Sequence, residues 1–172
     1  MADRSMLDRM KGAAMLDIPT YEEVEHDTSL TTQAAMVVVI AALARGIGGM
    51  DGGEVGIIGG VLGALFGWLL WSGVTYLIGD KLLGGTATWG ELLRTLGYAQ
   101  APGILLILGF IPLIGWVVGI VVFIWLLVTG IVAIRQALDF TTGKAVLTAI
   151  IGWLVAFVIP ALILGGALGA GS

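Results

Sequence analysis

The chain contains no cysteine and a single histidine, and only 12% of its 172 residues are charged. The absence of cysteine excludes disulfides, thiolate zinc sites and thiol nucleophiles. Soluble domains carry about twice this charged fraction, and a net charge of −4 without a basic patch argues against nucleic acid as a partner. With 58% hydrophobic residues, the composition is that of an integral membrane protein.

The groups that catalysis needs are also scarce. General acid–base or nucleophilic chemistry requires positioned, tunable side chains. His26 lies in an acidic stretch near the N-terminus, no serine stands near a base in sequence, and the apolar segments hold neither a serine–histidine pair nor paired aspartates. We therefore expect no enzymatic activity, no catalytic residue and no cofactor.

Long apolar runs take the place of the missing charges. The run from Trp116 to Ile134 has no charged residue, and about 18 such residues cross the hydrocarbon core as a helix. We predict an all-α bundle of five transmembrane helices, over residues 30–47, 55–78, 96–111, 116–136 and 145–164, the last kinked at Pro160. This membrane domain, residues 29–172, follows a cytosolic or interfacial segment of residues 1–28.

Residues 1–18 are predicted to form a short amphipathic helix, because apolar and charged side chains occupy opposite sides at helical spacing. The apolar positions are Met6, Leu7, Met10 and Ala14, and the charged ones are Arg4, Asp8, Arg9 and Lys11. Two placements fit this pattern. The helix lies in the membrane interface with its basic residues at the headgroups, or it is a tail that is solvated or packed on a partner.

A second short helix is predicted over residues 21–27, where acidic side chains dominate. Glu22 and His26 would share one face and Glu23 and Asp27 another, which raises the alternative of a divalent-metal patch. Since the chain has one histidine and no second cluster, we favour a solvated acidic helix and predict no metal site.

Local signals predict where several helices begin. Pro19 should break the chain, and Thr20 with the glutamate three residues later has capping-box spacing. Thr28 or Ser29 is expected to cap the first membrane helix. The same capping-box spacing at Thr88 predicts the entry turn of the third membrane helix.

Glycines recur at small-residue spacing in two of the predicted membrane helices. Such stripes let another helix approach closely, within one chain or between two copies. The predicted helix-packing positions are Gly56, Gly59, Gly60, Gly63 and Gly67 in the second helix and Gly115 and Gly119 in the fourth.

The third membrane helix is interrupted by Pro102 and the glycine that follows it. Proline removes a backbone donor and frees a carbonyl, so a kink is predicted, with Tyr98 and Gln100 placed to satisfy the freed groups. Broken helices also form the substrate sites of transporters, usually in two matching halves. Because no second half is visible, we favour a structural kink over a small transporter or channel with a site near Tyr98 and Pro102.

Basic residues are distributed unevenly between the two sides of the predicted bundle. One side carries Arg45 alone, and the other carries seven, namely Arg4, Arg9, Lys11, Lys81, Arg94, Arg135 and Lys144. Because cytoplasmic segments are enriched in lysine and arginine, we predict a cytoplasmic N-terminus and a C-terminus outside.

Several short motifs resemble the Yip family of five-helix membrane proteins in its compact prokaryotic form, across most of residues 16–160. They are residues 20–27 with Thr32-Gln33-Ala34, then Gly97-Tyr98 with Pro102, and then the block from Ala133 through Arg135 to Gly143-Lys144-Ala145. The resemblance implies the same topology, in the membrane of a prokaryotic cell. Eukaryotic members bind Ypt/Rab GTPases through a long cytosolic region and an acidic-Leu-Tyr-Gly-Pro motif. This sequence lacks both, so GTPase binding is not expected.

Taken together, these features predict a non-enzymatic membrane scaffold or accessory subunit. Its expected partners are membrane lipid and other membrane proteins, in a larger complex or a homo-oligomer. Glycine stripes would supply the packing surface.

Overall fold

A computed structural model describes residues 4–49 and 53–155, and these residues are helical apart from short turns. A 3₁₀ turn, Thr28–Leu30, precedes α3, and a π-helical turn, Leu77–Leu82, extends α4. The main elements in chain order are α1 (Met6–Ala14), α2 (Ile18–His26), α3 (Thr31–Gly49), α4 (Gly53–Tyr76), α5 (Trp89–Tyr98), the 3₁₀ helix (Ala101–Phe110), α6 (Ile114–Ala137) and α7 (Thr142–Trp153).

Four helical segments of the described chain are long and apolar enough to cross a membrane, which confirms the all-helical class and the membrane setting. They are Thr28–Gly49, Gly56–Leu82, Trp89–Phe110 and Ile114–Ala137. The fifth predicted span, residues 145–164, begins within α7. Its second part, with the predicted kink at Pro160, lies outside the described residues.

The span formed by α5 and the 3₁₀ helix lies at the centre of the bundle. Its apolar window is 61% buried within the chain, whereas that of the span containing α4 is 6% buried. α3 and α6 pack along the central span, and α4 contacts it from one side. The glycine-rich α4 is therefore peripheral, and most of its surface faces away from the other described residues.

Small residues let α3 lie close to the central span. A Cβ added to Gly97 would lie 2.8 Å from the Cβ of Ala34, and one added to Gly103 would lie 3.1 Å from the Cβ of Ala41. Contacts this short leave no room for a larger side chain. The backbone of α3 therefore lies close to that of the central span at both positions.

The predicted interruption at Pro102 is present as a change from α-helix to 3₁₀ helix. Pro102 lies in the first turn of the 3₁₀ helix, where its missing N–H is tolerated. The carbonyl of Ala99 accepts a hydrogen bond from the hydroxyl of Thr129, 2.9 Å away on α6. The expectation that Tyr98 and Gln100 satisfy the freed groups is wrong in this respect, since Thr129 supplies the donor.

The start of α2 differs from the sequence-based expectation. Asp17 is the N-cap, and Pro19 lies in the first turn of the helix, a position that suits its fixed φ. Thr20 is buried one turn inside α2, and its hydroxyl donates to the Asp17 carboxylate at 2.5 Å. The predicted capping box at Thr20 is therefore wrong, and the predicted break between the first two helices lies at residues 15–17, just before Pro19.

Two other predicted caps can be compared with the structure. The carboxylate of Asp27 accepts from the backbone N–H of Ser29 at 2.9 Å, so Asp27 caps the turn that leads into α3, in place of the predicted Thr28 or Ser29. At α5 the capping box between Thr88 and Glu91 is confirmed, with both reciprocal hydrogen bonds present.

Candidate functional site at the N-terminal end of the bundle

Arg94, on α5, holds the C-terminal end of α2 against the bundle. Its side chain is buried, with the residue 4% exposed, and its guanidinium donates to the backbone carbonyls of Val24, at 2.8 Å, and Glu25. The last carbonyls of a helix lack partners within the helix, and a cation there also interacts favourably with the helix dipole. Arg94 therefore acts as a C-terminal clamp on α2.

Tyr21 attaches the middle of α2 to α1 and α6. The side chain is fully buried, and its hydroxyl lies 3.0 Å from the carbonyl oxygen of Ala13 on α1 and 3.4 Å from that of Thr129 on α6. Burial raises the pKa of the Tyr21 hydroxyl above its usual range, so it remains a hydrogen-bond donor. One side chain thus ties α1 and α2 to a membrane span.

A group of four side chains, here called the polar junction, joins α1 and α2 to α3 and α5. The Arg9 Nε atom lies 2.7 Å from Glu23 Oε1, and its Nη1 atom lies 3.4 Å from Gln33 Oε1. The hydroxyl of Tyr98 donates to the same Gln33 oxygen at 2.9 Å. Each polar atom named here has a partner, so the junction is built for structural attachment.

The burial of Arg9 contradicts its predicted place on the charged side of α1. The residue is 5% exposed, because the carboxylate of Glu23 compensates its charge. Arg4 binds the same carboxylate at 3.0 Å and donates to the hydroxyl of Thr20 at 2.8 Å. The inward face of α1 therefore combines apolar side chains such as Met10 with a paired arginine.

The pairs considered for a metal patch have other partners in the structure. Glu23 is occupied by two arginines, and the Asp27 carboxylate binds Ser29. The Nδ1 atom of His26 faces the backbone carbonyl of Glu22 at 2.8 Å. Within residues 4–49 and 53–155, no group of histidine and carboxylate side chains is arranged to hold a metal ion.

The short motifs singled out in the sequence converge on this end of the bundle. Gly97 packs against Ala34, and Tyr98 binds the neighbouring Gln33. Gln136, beside Arg135, donates to the Glu22 carboxylate at 3.1 Å. Segments far apart in the sequence therefore meet around α2.

The remaining motif residues lie at the same end or in the packed core. Pro102 is buried in the central span, and the Arg135 Nε donates to Gln136 at 3.1 Å. Gly143 is exposed in the first turn of α7, and the Lys144 ammonium lies 5.0 Å from the centre of the Phe140 ring. These positions form the edge of the site.

A family comparison identifies the arrangement. The model of the Yip1 domain matches residues 14–163, which include α2, the four apolar spans and the described part of α7. The chain belongs to the Yip1 family. Comparison with curated proteins and with solved structures finds no match for this chain.

In this Yip1 family protein the glycine stripe of α4 is open. A Cβ placed on Gly59, Gly60, Gly63 or Gly67 would meet no atom of residues 4–49 and 53–155 within 4 Å, and Gly56, near the start of α4, is exposed. The two glycines of the other predicted packing pair, Gly115 and Gly119, lie in different surroundings. A Cβ on Gly115 would lie 2.2 Å from the carbonyl oxygen of Gly109, whereas one on Gly119 would meet nothing within 4 Å in the part of the chain that the structure describes.

Glu25 also lies at this end of the bundle, and the sequence pattern did not identify it as a candidate. It is 9% exposed. The pKa of this carboxyl is raised to about 7, chiefly by burial; His26 opposes the rise, and nearby Glu91, Asp139 and Glu22 add to it. The group is therefore protonated in mildly acidic solution and charged above neutrality.

The stability of the docked N-terminal segment is expected to fall as the pH rises from about 4.5 to about 7. The pKa of Glu25 is higher in the folded protein than in an unfolded chain, so its protonated form favours the fold, and this contribution is lost as the carboxyl ionises. The expected loss is roughly 2 to 3 kcal/mol. Thermal unfolding in mild detergent, followed from pH 4.5 to 8, measures it.

The variant Glu25→Gln should remove most of this pH dependence, because glutamine cannot ionise. Glu22→Gln is the matched control, since it removes a carboxylate that is exposed on the same helix. If wild type and Glu25→Gln lose stability in parallel over this pH range, the titrating group is not Glu25.

Proposed function

We propose that this protein is a non-enzymatic integral membrane scaffold or accessory subunit, which offers the glycine face of α4 to a transmembrane helix of another membrane protein. The observation that carries the proposal is the open stripe of four glycines on a span that is only 6% buried. A flat small-residue surface allows close backbone contact with a partner helix. The partner's chemistry is thereby limited to an apolar helix that crosses the membrane.

The N-terminal end of the bundle supports an attachment role rather than chemistry. The ionisable groups of the polar junction and of the α2 clamp are engaged with one another or with backbone carbonyls. The region proposed for a transport site, from Tyr98 to Pro102, is buried except for the half-buried Gln100, and the Tyr98 hydroxyl is satisfied by Gln33. This packing favours the scaffold over the transporter.

We further propose that α1, α2 and α5 begin on the cytoplasmic side. The basic residues counted for topology support this orientation, since Arg94 contacts α2 and Lys144 lies 3.4 Å from the carbonyl of Leu83 at one end of the bundle. Arg45 is exposed near the other end of α3. Cytoplasmic segments carry the excess of lysine and arginine in most membrane proteins.

The test uses the cysteine-free background. Gly67→Cys, cross-linked in native membranes with a thiol-reactive photoprobe, should give an adduct with a different membrane protein. Adding Gly63→Ile to the same chain should abolish that adduct by filling the stripe, whereas Gly130→Ile, which also fills open space but on α6, should not. An adduct of twice the chain's mass would show a second copy on the stripe. A link within one chain, or none, would overturn the proposal.

A further inference from the structure

The first helix lies beside the middle of the membrane spans although it precedes them in the sequence. The indole Nε1 of Trp125 donates to the carbonyl oxygen of Ala14 at 2.7 Å, and Trp125 lies near the midpoint of α6. α1 also contacts the 3₁₀ helix, the inner part of the central span. The C-terminal end of α1 is therefore level with the interior of the bundle.

The depth of this contact follows from helix geometry. At 1.5 Å per residue, Trp125 stands about 18 Å along α6 from its last residue, Ala137. The hydrocarbon core is roughly 30 Å thick, and α6 carries no charged residue before Arg135. A bilayer position that lets α6 cross must place Trp125, and with it Ala14, inside the hydrocarbon region.

The face of α1 that turns away from the bundle has the pattern of an interfacial helix. Leu7 is 71% exposed, the C-cap residue Met15 is 68% exposed, and Lys11 is exposed between them at the same four-residue spacing. The half-exposed carboxylate of Asp17, near Met15, is paired with Arg4 at 3.8 Å. The inward face is buried, and its one cation, Arg9, is paired with Glu23. A helix face at this depth that no described residue covers is open to lipid.

The polar start of α1 is compatible with this depth if the helix enters obliquely. The capping box between Ser5 and Asp8 is exposed and belongs at the headgroups. From Ser5 to Ala14 the helix rises about 14 Å, which exceeds the roughly 5 to 10 Å to which interfacial helices insert. One end can therefore remain in the polar layer while the other reaches the acyl chains.

We propose that α1 is a lipid-facing wedge, in which Leu7 and Met15 contact acyl chains of the leaflet on the N-terminal side and Lys11 extends to a lipid phosphate. Long basic side chains place their charge at the interface while their stems lie along apolar surface. The wedge is attached to the spans through Trp125 and Tyr21. Its occupant is the bilayer itself, so the surface needs no protein partner.

The test measures contact with acyl chains directly. Single cysteines are introduced as Leu7→Cys and Met15→Cys in the full-length protein, which has no other thiol, and labelled with an environment-sensitive fluorophore. The labelled proteins are reconstituted into phosphatidylcholine vesicles with nitroxides at shallow or deep acyl positions. Phe123→Cys on the exposed middle of α6 serves as the lipid-contact reference, and Thr142→Cys at the exposed start of α7 as the aqueous reference.

We expect the probe at position 15 to be quenched at least about twofold, as at position 123, and the probe at position 7 to be quenched more by shallow than by deep nitroxides. Position 142 should show little quenching. Two results would overturn the wedge. One is emission at positions 7 and 15 that matches the aqueous reference. The other is emission typical of an apolar site without quenching by lipid nitroxides, which would show that protein covers this face. Neither result depends on whether α4 has a partner.

Discussion

Gly48→Ala is expected to destabilise the bundle by at least about 3 kcal/mol, because overpacking against a backbone that cannot move aside exceeds the usual cost of added methyl groups. A Cβ on Gly48 would lie 1.8 Å from the carbonyl oxygen of Leu106 and 3.2 Å from the backbone nitrogen of Gly109. Thermal unfolding in mild detergent, followed by tryptophan fluorescence, measures the loss.

Gly63→Ala is the matched control, since it makes the same change in another membrane span. Its Cβ would meet no atom of the described chain within 4 Å, and alanine favours a helix over glycine by up to about 1 kcal/mol. We therefore expect Gly63→Ala to unfold at the same temperature as wild type or slightly above it. Equal unfolding temperatures for Gly48→Ala and Gly63→Ala would show that α3 and the 3₁₀ helix are not in close contact at this point.

The contrast between these two glycines marks what sequence spacing can and cannot reveal. Gly63 belongs to a stripe that is visible because its members lie on one helix. Gly48 and Gly109 belong to two different helices, and each meets backbone atoms of the other helix. Their meeting depends on how distant segments cross, so the order of residues in the chain carries no sign of it.

The membrane spans themselves could be predicted from the sequence, because a bilayer imposes length and apolarity on each helix separately. α6 begins two residues before the predicted bound and ends one residue after it. The break at Pro102 was likewise predictable, since it follows from the missing donor of one residue. The donor that repairs it, Thr129, lies on another helix and could only be found in the structure.

The candidate site was harder to predict because its charged residues are buried. Arg9 and Arg94 have the sequence signature of solvent-facing residues at helix ends, yet they are 5% and 4% exposed. Each can be buried because a group far along the chain compensates its charge. Arg9 is paired with Glu23, and Arg94 binds the carbonyls at the end of α2. A charge without such a partner would not tolerate burial, so the partner, not the residue type, decides its location.

These contacts explain how a short polar segment can be part of a membrane protein's structure. α1 and α2 are too short to be stable as isolated helices in water. Arg9, Tyr21 and Arg94 attach them to each other and to three spans, those of α3, α6 and α5. The segment is therefore fixed rigidly to the bundle. A partner or lipid that binds the segment is thereby coupled to the membrane spans.

Arg94→Met is expected to release α2 while the spans remain folded. The substitution keeps an apolar stem of similar reach but leaves the carbonyls of Val24 and Glu25 without their donor, and each buried unsatisfied carbonyl costs about 1 to 3 kcal/mol. The protection of α2 amides against hydrogen exchange should fall by an amount that corresponds to about 3 kcal/mol. Protection in α6 should change little, because no hydrogen bond of Arg94 is made to that helix.

Two further variants separate the clamp from a general effect of charge. Arg135→Met removes an arginine at the end of α6 whose hydrogen bond is to the neighbouring Gln136, and it should leave α2 protected. Arg94→Lys keeps the charge but not the planar set of donors that reaches two carbonyls, so it should lose part of the protection. The clamp is contradicted if Arg94→Met and Arg135→Met reduce the protection of α2 amides by the same amount. That result would mean that α2 is held by the positive charge at this end of the bundle and not by the specific contact with Arg94.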